Sequence, residues 1–240
     1  MTTIDIDFKE TAEKLIGLLG HGLCSGLGTP EPGKMCIEAA VCYAMGMDHG
    51  DDPKCVGKAV RRFKIRLNDS RWSSNKARGD GMLKLAIAQL GSNEIDQVEF
   101  VKKLSLRTCN EFLPFFLADR LPNFDTSGLV SAGDLKTARA EAQKARTYAA
   151  ASDSAYAYDA HAAAAYAAAS AYAAASAHAA DAATATDADS AIDAAHAADA
   201  YDAYDAHAAD KYLLKMADIA LSILIEMNSP GCEFLYLVNE

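Results

Sequence analysis

An all-α fold is predicted by three features of this 240-residue sequence. Apolar residues recur at helical spacing along most of the chain, period-two alternation is almost absent, and residues 134–229 contain neither Gly nor Pro. Alanine dominates that last stretch, and a long run of the best helix former without a breaker makes helix its default. The predicted architecture is a compact helical head over 1–122, a linker over 123–133, and an alanine-rich acidic helical arm over 134–240. The arm is expected to fold as an antiparallel hairpin or small bundle with an apolar C-terminal helix.

Each element follows from local signals. Phe8, Ala12, Leu15 and Leu19 form the stripe of an opening helix that Gly20 stops. Residues 21–33 hold too much Gly and Pro for regular structure. A short helix follows over 35–45 and ends at Gly46. Asp52 before Pro53 reads as an N-cap with an N1 proline, and Val56, Val60, Phe63 and Leu67 supply the stripe of a third helix. Further helices fit 75–90, 94–104 and 111–121. One unbroken helix over 134–229 would be about 140 Å long, too long for a compact domain. Breaks are therefore expected at 184–190 and 152–154, where poor helix formers gather. Tyr156, Tyr158, Tyr166 and Tyr172 in one arm, with Tyr201, Tyr204 and Tyr212 in the other, are expected to fill gaps between alanine helices. A helix over 211–227 closes the chain with Leu213, Ala217, Ala220, Leu224 and Met227 on one face. Asn228-Ser-Pro-Gly231 stops it.

Charge is unevenly placed. The whole net charge of −10 sits in residues 147–210, which hold ten Asp, 34 Ala and no Lys, Arg or Glu. Elsewhere 23 acids balance 23 bases. This excludes a collagen, a disulfide mini-protein and a polybasic nucleic-acid binder as descriptions of the whole chain. Six cysteines without a C-x-x-C pair fit reduced thiols better than bridges. The N-terminus lacks a basic and apolar leader, and the most apolar stretch, 216–227, is short and interrupted by Asp218, Ser222 and Glu226. A cytoplasmic protein without membrane contact is expected.

Several constellations are candidates for function. Asp181, Asp199, Asp202, Asp205 and Asp210 are expected to form an acidic face, because carboxylates one helical turn apart lie about 5–6 Å from each other and imitate phosphates. A basic nucleic-acid-binding protein is the partner such a face suits. The plain alternative is solubility for an alanine rod. His-Ala-Ala-Asp recurs at His178/Asp181, His196/Asp199 and His207/Asp210. These i, i+3 pairs are weak metal candidates, since a metal site needs three or four converging ligands; a pH-sensitive face is the other functional option. No cofactor is assigned.

The head carries the opposite sign. Residues 53–84 hold ten cations against Asp69 and Asp80. Arg61, Arg62 and Arg66 with Trp72, the single tryptophan, form a candidate basic face for phosphates or nucleic acid. The alternatives are a solvated helix face, or docking on the acidic tract within a chain or between chains, which would make a homo-oligomer. Cys36 opens a helix, where the dipole lowers a thiol's pKa, and His49 and Asp51 follow closely, so a cysteine-hydrolase trio is drawn. Cys24, Cys36, Cys42 and Cys55 with His21 and His49 also invite a zinc site, but their spacing matches no standard motif. Buried core thiols are the plain alternative.

Gly22-Leu-Cys-Ser-Gly26, Met35-Cys-Ile-Glu-Ala-Ala-Val-Cys-Tyr-Ala44 and Leu67-Asn-Asp-Ser-Arg-Trp72 resemble a family of uncharacterised bacterial and phage proteins with a Gly-x-Cys loop, a small-residue helix and an Asn-Asp turn. Met216-Ala-Asp-Ile-Ala-Leu and Ser229-Pro-Gly231 are similar to segments behind Ala/Asp/Tyr repeats in phage-associated proteins, and the Ala/His-rich helices resemble an immunity-protein domain. The resemblance brings no established activity, so no catalytic residue is carried over. It implies a phage-associated chain in a host cytoplasm. The expected function is a non-enzymatic protein-interaction module, an inhibitor with a nucleic-acid-mimicking acidic surface. The alternative is a cysteine-dependent enzyme or small-ligand binder around Cys24, Cys36 and His49, and a structural spacer is third.

Overall fold

Asp7 begins the ordered helices by accepting hydrogen bonds from the Lys9 and Glu10 amides, capping α1 (Phe8–Leu19). The computed structural model describes residues 7–153, 156–176 and 206–238, and among these the fold is all-α. The only extended pairing among them is an isolated antiparallel bridge between Gly28 and Met35. After the loop comes α2 (Ile37–Ala44), capped by Cys36, then α3 (Lys58–Asp69) and α4 (Asn75–Ala88), capped by Ser74.

The cap of α3 differs from the expectation. Asp52 instead pairs with Lys54 and Arg61, and Gly57 occupies the N-cap without a side chain to offer. The exposed amides are satisfied from elsewhere: Ser92 Oγ accepts from Gly57 N, and Gln97 Oε1 accepts from Ala59 N at 3.1 Å. A cap supplied by another element leaves no local sequence signal.

Residues 97–120 also differ. Two separated helices are expected there, but α5 (Gln97–Arg107) runs through a π turn (Thr108–Phe112) directly into α6 (Leu113–Arg120). Pro114 has no amide and its ring would crowd the preceding turn, and the widened turn ahead of it lets the helix continue. The expected linker contains a short helix, α7 (Ser127–Val130).

The alanine-rich region forms a hairpin of α8 (Leu135–Ala150) and α9 (Ala157–Ser176), joined near the predicted weak point at 152–154. α8 packs on α9, and Ala138, Ala142, Ala145 and Ala149 of the first with Ala160, Ala163, Ala164, Ala167 and Ala171 of the second are all essentially fully buried. The far side of α9 packs on α5, the π turn and α6, and Cys109 Sγ donates to the Ala167 carbonyl at 3.4 Å. Alanine lets one helix lie between two layers because backbones approach closely on both faces. The other expected break, 184–190, lies outside the described residues.

The last helix, α10 (Ala206–Glu226), rests on α4, α5 and the π turn, with Leu213, Ala217, Ala220 and Leu224 buried. Among the described residues its main contacts are with head elements. Tyr212 packs 4.9 Å from Phe116 and donates to Asp119 at 2.7 Å, so it fills the head interface and not an alanine gap. Tyr158 is 78% exposed and fills no gap either. The side chains of Tyr166 and Tyr172, and residues Tyr201 and Tyr204, lie outside the described set. Pro230–Val238 closes against α1 and α4 as a 3-10 helix. No helix among the described residues is long and apolar enough to cross a membrane.

Candidate functional site

The three head motifs come together as one hydrogen-bonded unit. Asn68, fully buried at the end of α3, accepts from Ile37 N at 3.2 Å and donates to the Cys24 carbonyl at 2.9 Å. Its neighbour Asp69 accepts from Gly26 N at 2.7 Å. From α4, Arg78 donates to the Leu23 carbonyl at 2.8 Å and to Asn75 Oδ1. Burial pulls the Arg78 pKa down from its usual value. Gly28 has φ +71°, and a Cβ there would lie 1.9 Å from the Lys34 carbonyl oxygen. The loop is therefore a preorganised surface element held by buried polar groups from two helices.

Between α2 and α3 lies a pair that sequence reading overlooks. Lys64 Nζ sits 3.3 Å from Glu38 Oε1, both side chains are fully buried, and neither has an aligned hydrogen bond. Burial pushes the Glu38 pKa up and the Lys64 pKa down, so desolvation favours the uncharged forms of both. A signal was present: Lys64 continues the spacing of Val60 and Leu67 on the buried stripe, and Glu38 is the one charge in an otherwise apolar helix.

The proposed catalytic trio does not assemble. Cys36 Sγ accepts from Ala39 N at 3.4 Å, His49 Nε2 faces the Gly28 carbonyl at 3.1 Å, and Asp51 lies against Arg61. No hydrogen bond joins Cys36, His49 and Asp51 to one another. The expectation of a lowered thiol pKa is also reversed. Cys36 is 5% exposed, and burial pushes its pKa up to about 11, outweighing the helix terminus. Cys24, half-buried, donates to the Lys34 carbonyl and is likewise pushed up by burial. No group of three or more His, Cys, Asp or Glu among the described residues is arranged to hold a metal, which removes the zinc set drawn from Cys24, Cys36, Cys42, Cys55, His21 and His49.

The basic face is smaller than its composition suggests. Arg61 bonds to Asp52 at 2.6 Å, Lys64 is internal, and Lys76 pairs with Asp80. Trp72 is 7% exposed and donates to the Leu67 carbonyl at 2.8 Å, so its ring is core and offers no stacking face. Arg62 and Arg66 lie on the exposed side of α3 with Lys58.

Of the acidic and metal candidates, His178, Asp181, His196, Asp199, Asp202 and Asp205 lie outside the described residues. His207 falls in the first turn of α10. Asp210 is engaged within the molecule, accepting from Ser73 N at 2.8 Å and from the Ser73 hydroxyl, which ties α10 to the start of α4. It is therefore removed from the candidate acidic set. Comparison of the chain with protein-family models, curated proteins and solved structures found no match.

Proposed function

We propose that this chain is a non-enzymatic protein-interaction module whose aspartate-rich segment engages a basic, nucleic-acid-binding protein. The supporting observation is where charge lies relative to the packed body. Several body charges pair within the body: Arg61 with Asp52, Lys103 and Arg107 with Glu226, and Lys211 with Asp119. Residues 177–205, in contrast, hold seven Asp and no Lys, Arg or Glu, and they connect α9 to α10, both of which are seated in the body. Concentrated negative charge steers cationic partners and competes with phosphate for their Lys and Arg side chains. The raised thiol of Cys36 and the separate engagements of His49 and Asp51 weigh against the cysteine-enzyme alternative. A phage-encoded inhibitor in a host cytoplasm is the setting suggested by the motif resemblance.

The test uses the full chain and a fluorescent DNA duplex bound to an arginine-rich DNA-binding peptide. The chain is expected to release the duplex. Replacing Asp181, Asp199, Asp202 and Asp205 with Asn should weaken release by about tenfold, while neutralising Glu10, Glu13, Glu31 and Asp80 in the head should leave it nearly unchanged. Equal loss in the two variants would reduce the effect to net charge and overturn the reading, as would failure of the chain to release the duplex.

A further inference from the structure

The glycine loop also walls a groove that the acidic segment does not explain. It opens between α1, the loop and the end of α2, and has a volume of about 730 Å³, within the range of small-molecule sites, about 300–1,000 Å³. We propose that this groove binds a small amphiphilic anion: a carboxylate or sulfonate on an aromatic or aliphatic body.

Three observations converge on that chemistry. The first is the floor. Gly17 lies inside α1, yet its φ is not left-handed and a Cβ there would meet nothing within 4 Å. A helix-interior glycine costs about 1 kcal/mol relative to alanine, and neither backbone conformation nor close packing accounts for it here. Its effect is to leave the groove floor bare beside Leu18 and Met47.

The second is the wall. His21 lines the groove, and Gly33, at φ +78°, packs on its backbone, where a Cβ would lie only 2.9 Å from the His21 carbonyl oxygen. The rest of the loop is anchored through Asn68, Asp69 and Arg78. A ligand therefore meets a wall already ordered, which lowers the entropy cost of binding.

The third is charge. Lys14, His21 and Tyr43 are among the lining residues, and none of the lining residues is acidic. Lys14 pairs with Glu10 at 2.8 Å on the exposed side of α1, a contact of little net worth that leaves other ammonium hydrogens to donate. The Lys14 ammonium beside an apolar floor complements an anion with an apolar body. A bare inorganic anion would leave Leu18, Met47 and the Tyr43 ring uncovered. The thiols take no part.

The probe is 8-anilinonaphthalene-1-sulfonate, titrated into the full chain and followed by fluorescence. A saturable single-site enhancement is expected, with displacement by octanoate. Octanol, which keeps the apolar body and loses the charge, should displace about tenfold less well, and octylamine less again. Gly17→Leu fills the floor without backbone conflict and should weaken probe binding by about tenfold or more with thermal unfolding unimpaired. Tyr43→Ala, at an exposed position, should weaken it independently. Lys14→Gln should narrow the preference for octanoate over octanol. The Asp181, Asp199, Asp202 and Asp205 variant should bind the probe normally, which keeps this result separate from the partner test. Unchanged probe binding in both Gly17→Leu and Tyr43→Ala, or equal displacement by octanoate, octanol and octylamine, would overturn the proposal.

Discussion

In the head, α2 and α3 bury Glu38, Lys64 and Asn68 and α4 buries Arg78; in α8 and α9 the buried residues are alanines. Among the described residues of the hairpin, no charged or polar side chain is fully buried. The head is thus held by the directional bonds of Asn68 and Arg78 and by a buried ion pair, whereas the hairpin depends on small size and close backbone approach. Polar burial is costly unless matched, and small-residue packing tolerates little added volume. The two regions should therefore fail in different ways.

The largest effect is expected from breaking the head's internal pair. Lys64→Met strands Glu38 in a fully buried site and should cost about 3–5 kcal/mol by urea denaturation, while Lys64→Met combined with Glu38→Leu should recover most of the loss. A double variant as unstable as the single one would show that packing of the stems, and not the pair, dominates.

In the hairpin the sensitive change is addition. Ala164→Leu inserts a side chain where α9 is buried and should cost about 1–3 kcal/mol, whereas Ala169→Leu, at an exposed position on the same helix, should stay within about 0.5 kcal/mol of the parent. Equal tolerance at both sites would mean that the alanine interface is not closely packed.

The smallest effect lies where α10 meets α6. Lys211, through its hydrogen bond, holds the Asp119 carboxyl below its usual pKa, with help from the Tyr212 hydroxyl. A carboxylate whose folded pKa is depressed contributes stability above its unfolded pKa of about 3.9 and loses it as pH falls toward the folded value. Both charged side chains are nearly half exposed, so the contribution should stay below about 1 kcal/mol. Thermal melts of the parent and Asp119→Asn should differ slightly at pH 6, and the gap should narrow as the pH falls below about 3.9. A gap that widens on acidification would reverse the assignment.

Much of the helix pattern was legible because its signals are local. The Phe8, Ala12, Leu15 and Leu19 stripe with Gly20 after it, and Val60, Phe63 and Leu67 in α3, lie within a few turns of the residues they organise. The site was less legible. Lys64 counted toward a basic surface although its spacing placed it on the buried stripe. Cys36 was placed correctly at a helix start, but the low pKa expected there gave way to the overlying structure. Asp52 looked like a cap, yet α3 takes its capping from Ser92 and Gln97, far along the chain.

The amino-acid sequence by itself determined the all-α class and the segregation of the −10 charge, because helix propensity, periodicity and composition depend on residues within a few turns of each other. Only the tertiary structure decided that α9 is an inner helix, that Asp210 clamps Ser73, and that Asn68 and Asp69 hold a loop more than forty residues away. Burial and hydrogen-bond satisfaction belong to what lies across the interface, and a neighbour brought there by folding is not encoded in local spacing.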